Sequence, residues 1–353
     1  RDYAVTGVQT CALPISNTGA TSVTSTNFNI ANLLQQIVFN DLNNQTRIQT
    51  AGWHMNVLNT IRNPKLGPFG SALVSTAFDV PIKYGNNYGA GTSTSPNGLF
   101  SCPASIAATG STVVKMTYEI PLAYKSGPAV ALPEWDLRGA VYANVVNATM
   151  LLQLTLNPAP VVASTADGTL ALYQGAAGAG SITSATVNVF QHFLDQLPVG
   201  KNGPVLPIQD LSTIYEMKNT TLSGMTQNQD FPIAYSNFRD FLSTCVIWDN
   251  AGVLTAGTDL NYWALQSANF TNIFKVDPFT LSLWTRKLIQ TDVPTGSYYV
   301  SHRDKPISTI QYGNLELIQN ISASVTAGAQ DLIGFEDFAL INTISGAGSL
   351  AAG

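Results

Sequence analysis

The chain reads as an all-β protein built from two strand-rich halves, and three features of the sequence predict this. Apolar residues recur with a period of two in several separate stretches, the pattern of half-buried strands. Segments dense in Gly, Pro, Asn and Ser divide these stretches at intervals suited to antiparallel connections. Helical signals are few and short and fall between strands, which fits sandwiches decorated by helical loops.

In chain order, the first helix is expected over residues 52–61, where Trp53, Val57 and Ile61 recur every four positions. Residues 85–97 are turn-rich. Over 112–120, Val114, Met116, Tyr118 and Ile120 point one way and Val113, Lys115, Thr117 and Glu119 the other, as a strand between a core and water requires. Met150, Leu152, Leu154 and Leu156 alternate likewise with Leu151, Gln153 and Thr155, before a turn-rich stretch at 157–167. Further strands are expected at 168–174 and 185–194. The segment 197–204, with two prolines and two glycines, then divides the halves, and a strand at 207–215 opens the second. Cys245, inside TCVIW (244–248), reads as a small buried hydrophobe, and residues 249–258 as a turn. Helices are expected at 260–270 and at 277–290. In the latter, Asp277 is the N-cap, Pro278 the first helical residue, and Arg286 and Lys287 lie near the C-terminal end. Its stripe of Leu281, Trp284 and Leu288 predicts that the Trp284 ring packs on the sheet. Strands at 309–318, 321–326 (Ile321, Ala323 and Val325 on one face) and 332–341 complete the second half.

Composition narrows the functional classes. Only 10% of the 353 residues are charged, against roughly 25% in ordinary soluble proteins. Uncharged polar residues fill the difference. This suits strands covered by neighbouring subunits, because interface cores are poor in charge; a secreted β-protein would share the trait. Net charge is −5, and basic residues cluster no further than pairs such as Arg286-Lys287, so no footprint for direct nucleic-acid binding exists. No run approaches the ~18 apolar residues of a membrane-spanning helix. Cys11, Cys102 and Cys245 are too scattered for a disulfide framework or a metal motif.

Several motifs imitate catalytic ones. His302-Arg303-Asp304 resembles a kinase catalytic loop, but Thr309 stands where a metal-binding Asn is required and no DFG follows. Gly175, Gly178 and Gly180 lack the GxGxxG spacing and open no βαβ unit, so a flexible loop is expected. His54, His192 and His302 are scattered without a carboxylate or thiol cluster, and His192 reads as a packed or interface residue. Glu336 and Asp337 are adjacent in an expected strand and so face opposite sides, unlike the two carboxylates of a glycosidase cleft. No catalytic, cofactor-binding or metal-binding residue is assigned, and no cofactor is expected.

A collinear series of short motifs carries more information. It runs GWH (52–54), PIKYG (81–85), IPLAY (120–124), GAVYANV (139–145), YQGA (173–176), FLDQLPVGKNG (193–203), DLSTIY (210–215), GTDLNYW (257–263), RDKPI (303–307) and QYGN (311–314). In wording and order this resembles the major capsid protein of tectiviruses, bacteriophages whose protein shell encloses a membrane. The resemblance implies two jelly-roll barrels side by side (a double jelly roll), with residues 16–200 in the first and 201–353 in the second. It implies homotrimers whose six barrels form pseudo-hexagonal tiles of an icosahedral shell, in the virion and, during assembly, in the host cytoplasm. Implied partners are neighbouring capsomers, vertex (penton) and minor capsid proteins, and the internal viral membrane, reached through an N-terminal segment. RDKPI is structural in this family. Residues 1–15, RDYAVTGVQTCALPI, resemble instead a translated sequencing adapter. They are expected to have no native role, lying extended or serving as a makeshift strand, and the first barrel is expected to lack its N-terminal strands. The remaining reading of the composition is a secreted β-sandwich carbohydrate-binding module.

Overall fold

The computed structural model describes residues 2–26, 28–62, 103, 105–124, 139–142, 149–164, 170–194, 199–200, 203–204, 213–255, 257–289, 296–303, 305–322 and 325–340. Three large sheets organise them. A nine-stranded sheet is built around the long strand Asp2–Asn17, which pairs antiparallel with both Ser111–Pro121 and Thr186–Leu194. An eight-stranded sheet runs in the order Ser297–Ser301, Arg239–Asp249, Gln330–Leu340, Thr213–Ser223, Thr46–Thr50, Leu34–Asn40, Leu151–Leu156, with Ile307–Ser308 beside Arg239–Asp249. A four-stranded sheet runs Asp230–Ala234, Leu315–Ile321, Leu260–Ser267, Phe274–Val276.

The nine-stranded sheet, nearly closed into a barrel, gives the first half its core. Val114, Met116, Tyr118 and Ile120 are fully buried, the face the alternation predicts. Met150, Leu152, Leu154 and Leu156 pack partly buried against the same cluster. The helix Gly52–Arg62 lies against this core, with Trp53, Met55, Val57 and Leu58 buried. In the second half, Trp263, Leu265, Leu315, Leu317 and Ile321 of the four-stranded sheet face Phe241, Val246, Trp248 and Ile333 of the eight-stranded one.

Residues 2–15 do take a place in this fold. Val5–Thr10 pair in continuous register with both neighbours, and register shifts flank that stretch at Tyr3/Val5 and Thr10/Leu13. Two strands that would otherwise show open N–H and C=O edges provide the physical reason, since such edges recruit any β-prone segment. Ile15 is fully buried, while the side chains of Val5, Val8 and Leu13 lie outside the described residues.

Several expectations are corrected. Residues 260–270 are not a helix: Leu260–Ser267 is a strand, held between Leu315–Ile321 and Phe274–Val276. A short apolar run is ambiguous by period, and pairing on both edges decides it. The expected strand 309–318 splits into a single helical turn, Thr309–Tyr312, and the strand Leu315–Ile321. Gly313 turns the chain between them at φ 74°, a left-handed angle that suits glycine. The strand placed at 321–326 ends at Ile321, and Ala323 lies outside the described residues. Of the expected 168–174 strand, residues 168 and 169 lie outside the described residues, and among the rest Tyr173 and Gln174 are extended, in Tyr173–Gly175. Residues 85–97 and 205–212 lie outside the described residues, and the strand expected at 207–215 is observed from Thr213 to Ser223.

The helix Pro278–Ile289 starts as predicted. Asp277 accepts hydrogen bonds from the Thr280 N–H (2.9 Å) and the Thr280 hydroxyl (2.7 Å), which hold its carboxyl below the usual range. Its buried face, however, is Leu281 and Thr285, one turn apart, with Thr285 accepting from the Tyr299 N–H at 2.9 Å. Trp284 lies to the side, 44% exposed and edge-on to Phe274, and Leu288 is 37% exposed. The expected stripe was therefore rotated from the true contact face. In denaturant unfolding of the isolated chain, Trp263→Ala should cost roughly 3–5 kcal/mol and Trp284→Ala under about 1 kcal/mol. Equal losses would contradict this packing.

Candidate functional site: the seam between the barrels

The eight-stranded sheet crosses from one half of the chain to the other. Thr213–Ser223 pairs with Gln330–Leu340 on one side and, in parallel, with Thr46–Thr50 on the other, placing Met217 beside Ile48 and Lys218 beside Gln49. The second-half strands at the centre of this sheet are therefore covered on both faces over much of their length, although Thr213–Ser223 emerges to solvent after Met217. Along Arg239–Asp249 nine successive residues, Phe241 to Asp249, are buried. Phe241, Val246 and Trp248 enter the second barrel's core, whereas Leu242, Cys245 and Ile247 join that of the first. Strands covered on both faces read as continuous apolar runs, which accounts for TCVIW. Burial pushes the Cys245 thiol well up, as for an inert packed cysteine.

Several of the short motifs converge on the face turned toward the first barrel. Tyr215, Tyr124 and Phe338 form an aromatic cluster with ring centroids 5.5–6.0 Å apart. Beside it Glu336, fully buried, accepts from the Tyr215 hydroxyl (2.5 Å), the Ser243 hydroxyl (2.9 Å) and Arg303 Nη2 (2.6 Å) and Nε (3.1 Å). A β-bulge between Phe241 and Ser243 turns Ser243 onto this face. Burial lowers the Arg303 pKa, but the adjacent Glu336 carboxylate outweighs it, so the guanidinium is held more firmly charged than usual. Next along the strand, Gly334 receives His54 of the helix Gly52–Arg62: a Cβ there would fall 2.3 Å from the imidazole. His54 Nδ1 lies 2.7 Å from the Thr50 hydroxyl, tying the helix to the strand that makes the parallel pair. Gly139, at φ 71°, rests on Tyr215, where a Cβ would meet the backbone nitrogen at 2.4 Å. Its carbonyl accepts from Arg47 (2.9 Å), whose Nε donates to Asp41 (2.8 Å) in the turn between Leu34–Asn40 and Thr46–Thr50.

The opposite face carries a second ion cluster. Arg239 Nη1 donates to Glu216 (2.6 Å) and to Asp337 (2.7 Å), and Lys218 reaches Glu216 at 2.6 Å. Burial raises the Asp337 pKa to about 7, with Arg239 opposing and Glu216 adding to the rise. Glu336 and Asp337 thus serve separate clusters on opposite faces of one strand. His302 is half-buried, and the loss of solvent around its ring lowers its pKa to about 4. His54 and His302 lie in different elements, and the His192 side chain lies outside the described residues. Gly175 and Gly178 close a tight backbone turn (2.9 Å) between short strands. Among the described residues no group of three or more His, Cys, Asp or Glu is placed to hold a metal ion. These contacts anchor the seam: Arg303 is matched by Glu336 and Arg239 by Glu216 and Asp337, and the Tyr215 and Ser243 hydroxyls donate to Glu336. Sequence reading missed the pairing of Arg303 with Glu336. The available signal was an acid inside the apolar strand GFEDF in a chain with few charges to spare.

Breaking this pair should be costly, because it strands a buried charge. Glu336→Ala should lose roughly 3–5 kcal/mol in denaturant unfolding, whereas joint replacement of Glu336 and Arg303 by apolar residues should lose less. A harmless Glu336→Ala would contradict the seam's role. His302 gives a pH test. Its folded pKa lies below its unfolded value of 6.5, so its contribution is present above 6.5 and is lost as pH falls toward 4. The wild type should weaken relative to His302→Gln across that window by up to about 3 kcal/mol. Parallel pH profiles would show that His302 charges freely in the fold.

Comparison with known proteins agrees with this architecture. The family model described as P3 major capsid protein N-terminal matches residues 8–197, and that described as P3 major capsid protein C-terminal matches residues 212–352. Major capsid protein P3 of Enterobacteria phage PRD1 is 39% identical over 341 residues, covering 96% of this chain and 80% of that protein. The crystal structure of the STIV MCP superposes with a TM-score of 0.61 at 12% identity, covering 100% of this chain and 91% of that one. The atomic structure of Sulfolobus Turreted Icosahedral Virus gives 0.57 at 12% identity, covering 98% and 86%. At that identity the two structures speak for the fold alone, a double jelly roll.

Proposed function

Since the chain belongs to the P3 major capsid protein family, we propose that it works as a homotrimer whose six barrels form a pseudo-hexagonal tile, and that such tiles build an icosahedral shell around an internal membrane. Its coarse role, a structural protein of a phage capsid and not an enzyme, follows from that membership. The observation that carries the finer reading is the apolar surface of the single chain. Phe279 is 71% exposed, Phe238 59%, Ile310 58% and Phe190 57%. Side chains of this size are what a neighbouring copy would cover. The low charge points the same way, since an interface core tolerates few uncompensated charges. The seam suits the role mechanically: two barrels sharing one sheet resist bending about the line between them. Vertex and minor capsid proteins and the internal membrane are the further partners of this reading.

Obligate interfaces commonly bury roughly 2,000 Å² or more. Analytical ultracentrifugation at low micromolar concentration should therefore show a trimer at both low and moderate salt, few charges being available to screen. A monomer in both conditions, or a trimer that dissociates as salt rises, would overturn the proposal.

A further inference from the structure

The strand Gln330–Leu340 carries three buried carboxylates: Asp331, Glu336 and Asp337. Two of them meet a guanidinium, Arg303 for Glu336 and Arg239 for Asp337. Asp331 is fully buried inside the second barrel, and among the described residues no cation pairs with it. Its one hydrogen bond is a long one, received on Oδ1 from Gln319 Nε2 at 3.4 Å. Oδ2 of Asp331 and Oε1 of Gln319, both buried, have no partner. As a carboxylate, then, Asp331 would leave two acceptors of one side-chain pair without a hydrogen between them. Buried acceptors in that condition are costly, and an isolated buried anion more so.

We propose that Asp331 is a proton-binding site of the second barrel, held as the neutral carboxylic acid with its Oδ2 hydrogen donated to Gln319 Oε1. One hydrogen then satisfies both orphan acceptors, and acid and amide form a two-bonded pair linking the eight-stranded and four-stranded sheets. No described donor reaches either orphan oxygen. Trp263 lies opposite Gln319 in register, yet its indole N–H is itself without an acceptor. The titratable neighbours Tyr298 and Asp259 add no positive charge, and the Asp259 carboxylate already accepts from Trp248, Asn250 and Thr255. Of the charged groups of the four-stranded sheet, Asp230 and Lys275 lie at its exposed outer side, Asp230 bonded to Tyr262 and Asn320 and Lys275 over the Tyr262 ring, and the half-buried Glu316 alternates with the buried Leu315 and Leu317 and adds no positive charge. Burial pushes Asp331 well above the ordinary carboxylate range, with the Gln319 hydrogen bond acting in the opposite sense.

The sign of the pH effect follows. A carboxyl whose folded pKa exceeds its unfolded value (about 3.9) binds its proton more tightly when folded. Its contribution is therefore present at low pH and is lost as pH rises from about 4 toward the folded value. Over that interval the folded-to-unfolded ratio drops about tenfold per pH unit. Asp331→Asn supplies a permanent N–H in place of the proton. Infrared spectroscopy of the folded protein at pH 7 should show a protonated-carboxyl C=O band that is weaker in D331N than in the wild type, the remainder coming from Asp337, whose pKa burial raises to about 7. The ratio of wild-type to D331N stability should also fall as pH rises above about 4. An unchanged band together with parallel pH profiles would overturn the proposal. If D331N does not fold, Asp337→Asn decides: the band persisting there supports a protonated Asp331, and its disappearance refutes it.

Discussion

The rest of the structure depends on the parallel pairing of Thr46–Thr50 with Thr213–Ser223, because it makes one sheet serve two barrels. Once those strands lie side by side, the first barrel covers much of the second barrel's inner sheet. Leu242, Cys245, Ile247, Leu332 and Phe338 then lie in the same core as Val114, Met116 and Ile120 of the first half. The first core is completed by residues of the second half, whereas the second core is made by the second half's own residues. The glycines at the line of contact follow from this closeness, since Gly334 must admit His54 and Gly139 must lie against the backbone of Tyr215.

A sheet covered on both faces sets severe conditions on every polar group it carries. Glu336 meets them with four hydrogen bonds from three residues, and Asp337 shares Arg239 with Glu216. Buried ion pairs of this kind are weak stabilisers compared with well-packed apolar residues, but they punish misplacement heavily. Their contribution here is registration: Arg303 can reach Glu336 only if the segment after Ser297–Ser301 and the strand Gln330–Leu340 are aligned as observed. A capsid protein needs that, because an error of angle between barrels would be repeated in every copy.

The local features of this fold were legible in the sequence. The alternation over 112–120 identified its buried face correctly, and Asp277 marked the helix start, because both depend on residues close together in the chain. The misread elements failed where distant partners decide. Residues 260–267 carry an apolar run whose period is ambiguous, and it became a strand because two other strands flank it. Trp284 was assigned inward by spacing alone, whereas Leu281 and Thr285 are the residues that meet the sheet. The seam could not be read at all by periodicity. It joins residues 48 and 217, and no local pattern records a parallel pairing across that separation. Only the motif series hinted at it, by concentrating unusual residues such as Gly139, Arg303 and Tyr215 at positions that prove to be neighbours.

Native-state hydrogen exchange tests most directly the claim that one sheet makes the two barrels a single unit. The amides of Thr46–Thr50, Thr213–Ser223 and Gln330–Leu340 should open only in global unfolding, with equal free energies and equal dependence on denaturant. Opening of Thr46–Thr50 with the first half at a markedly lower free energy, while Thr213–Ser223 stays protected, would contradict the account and leave two barrels that merely touch.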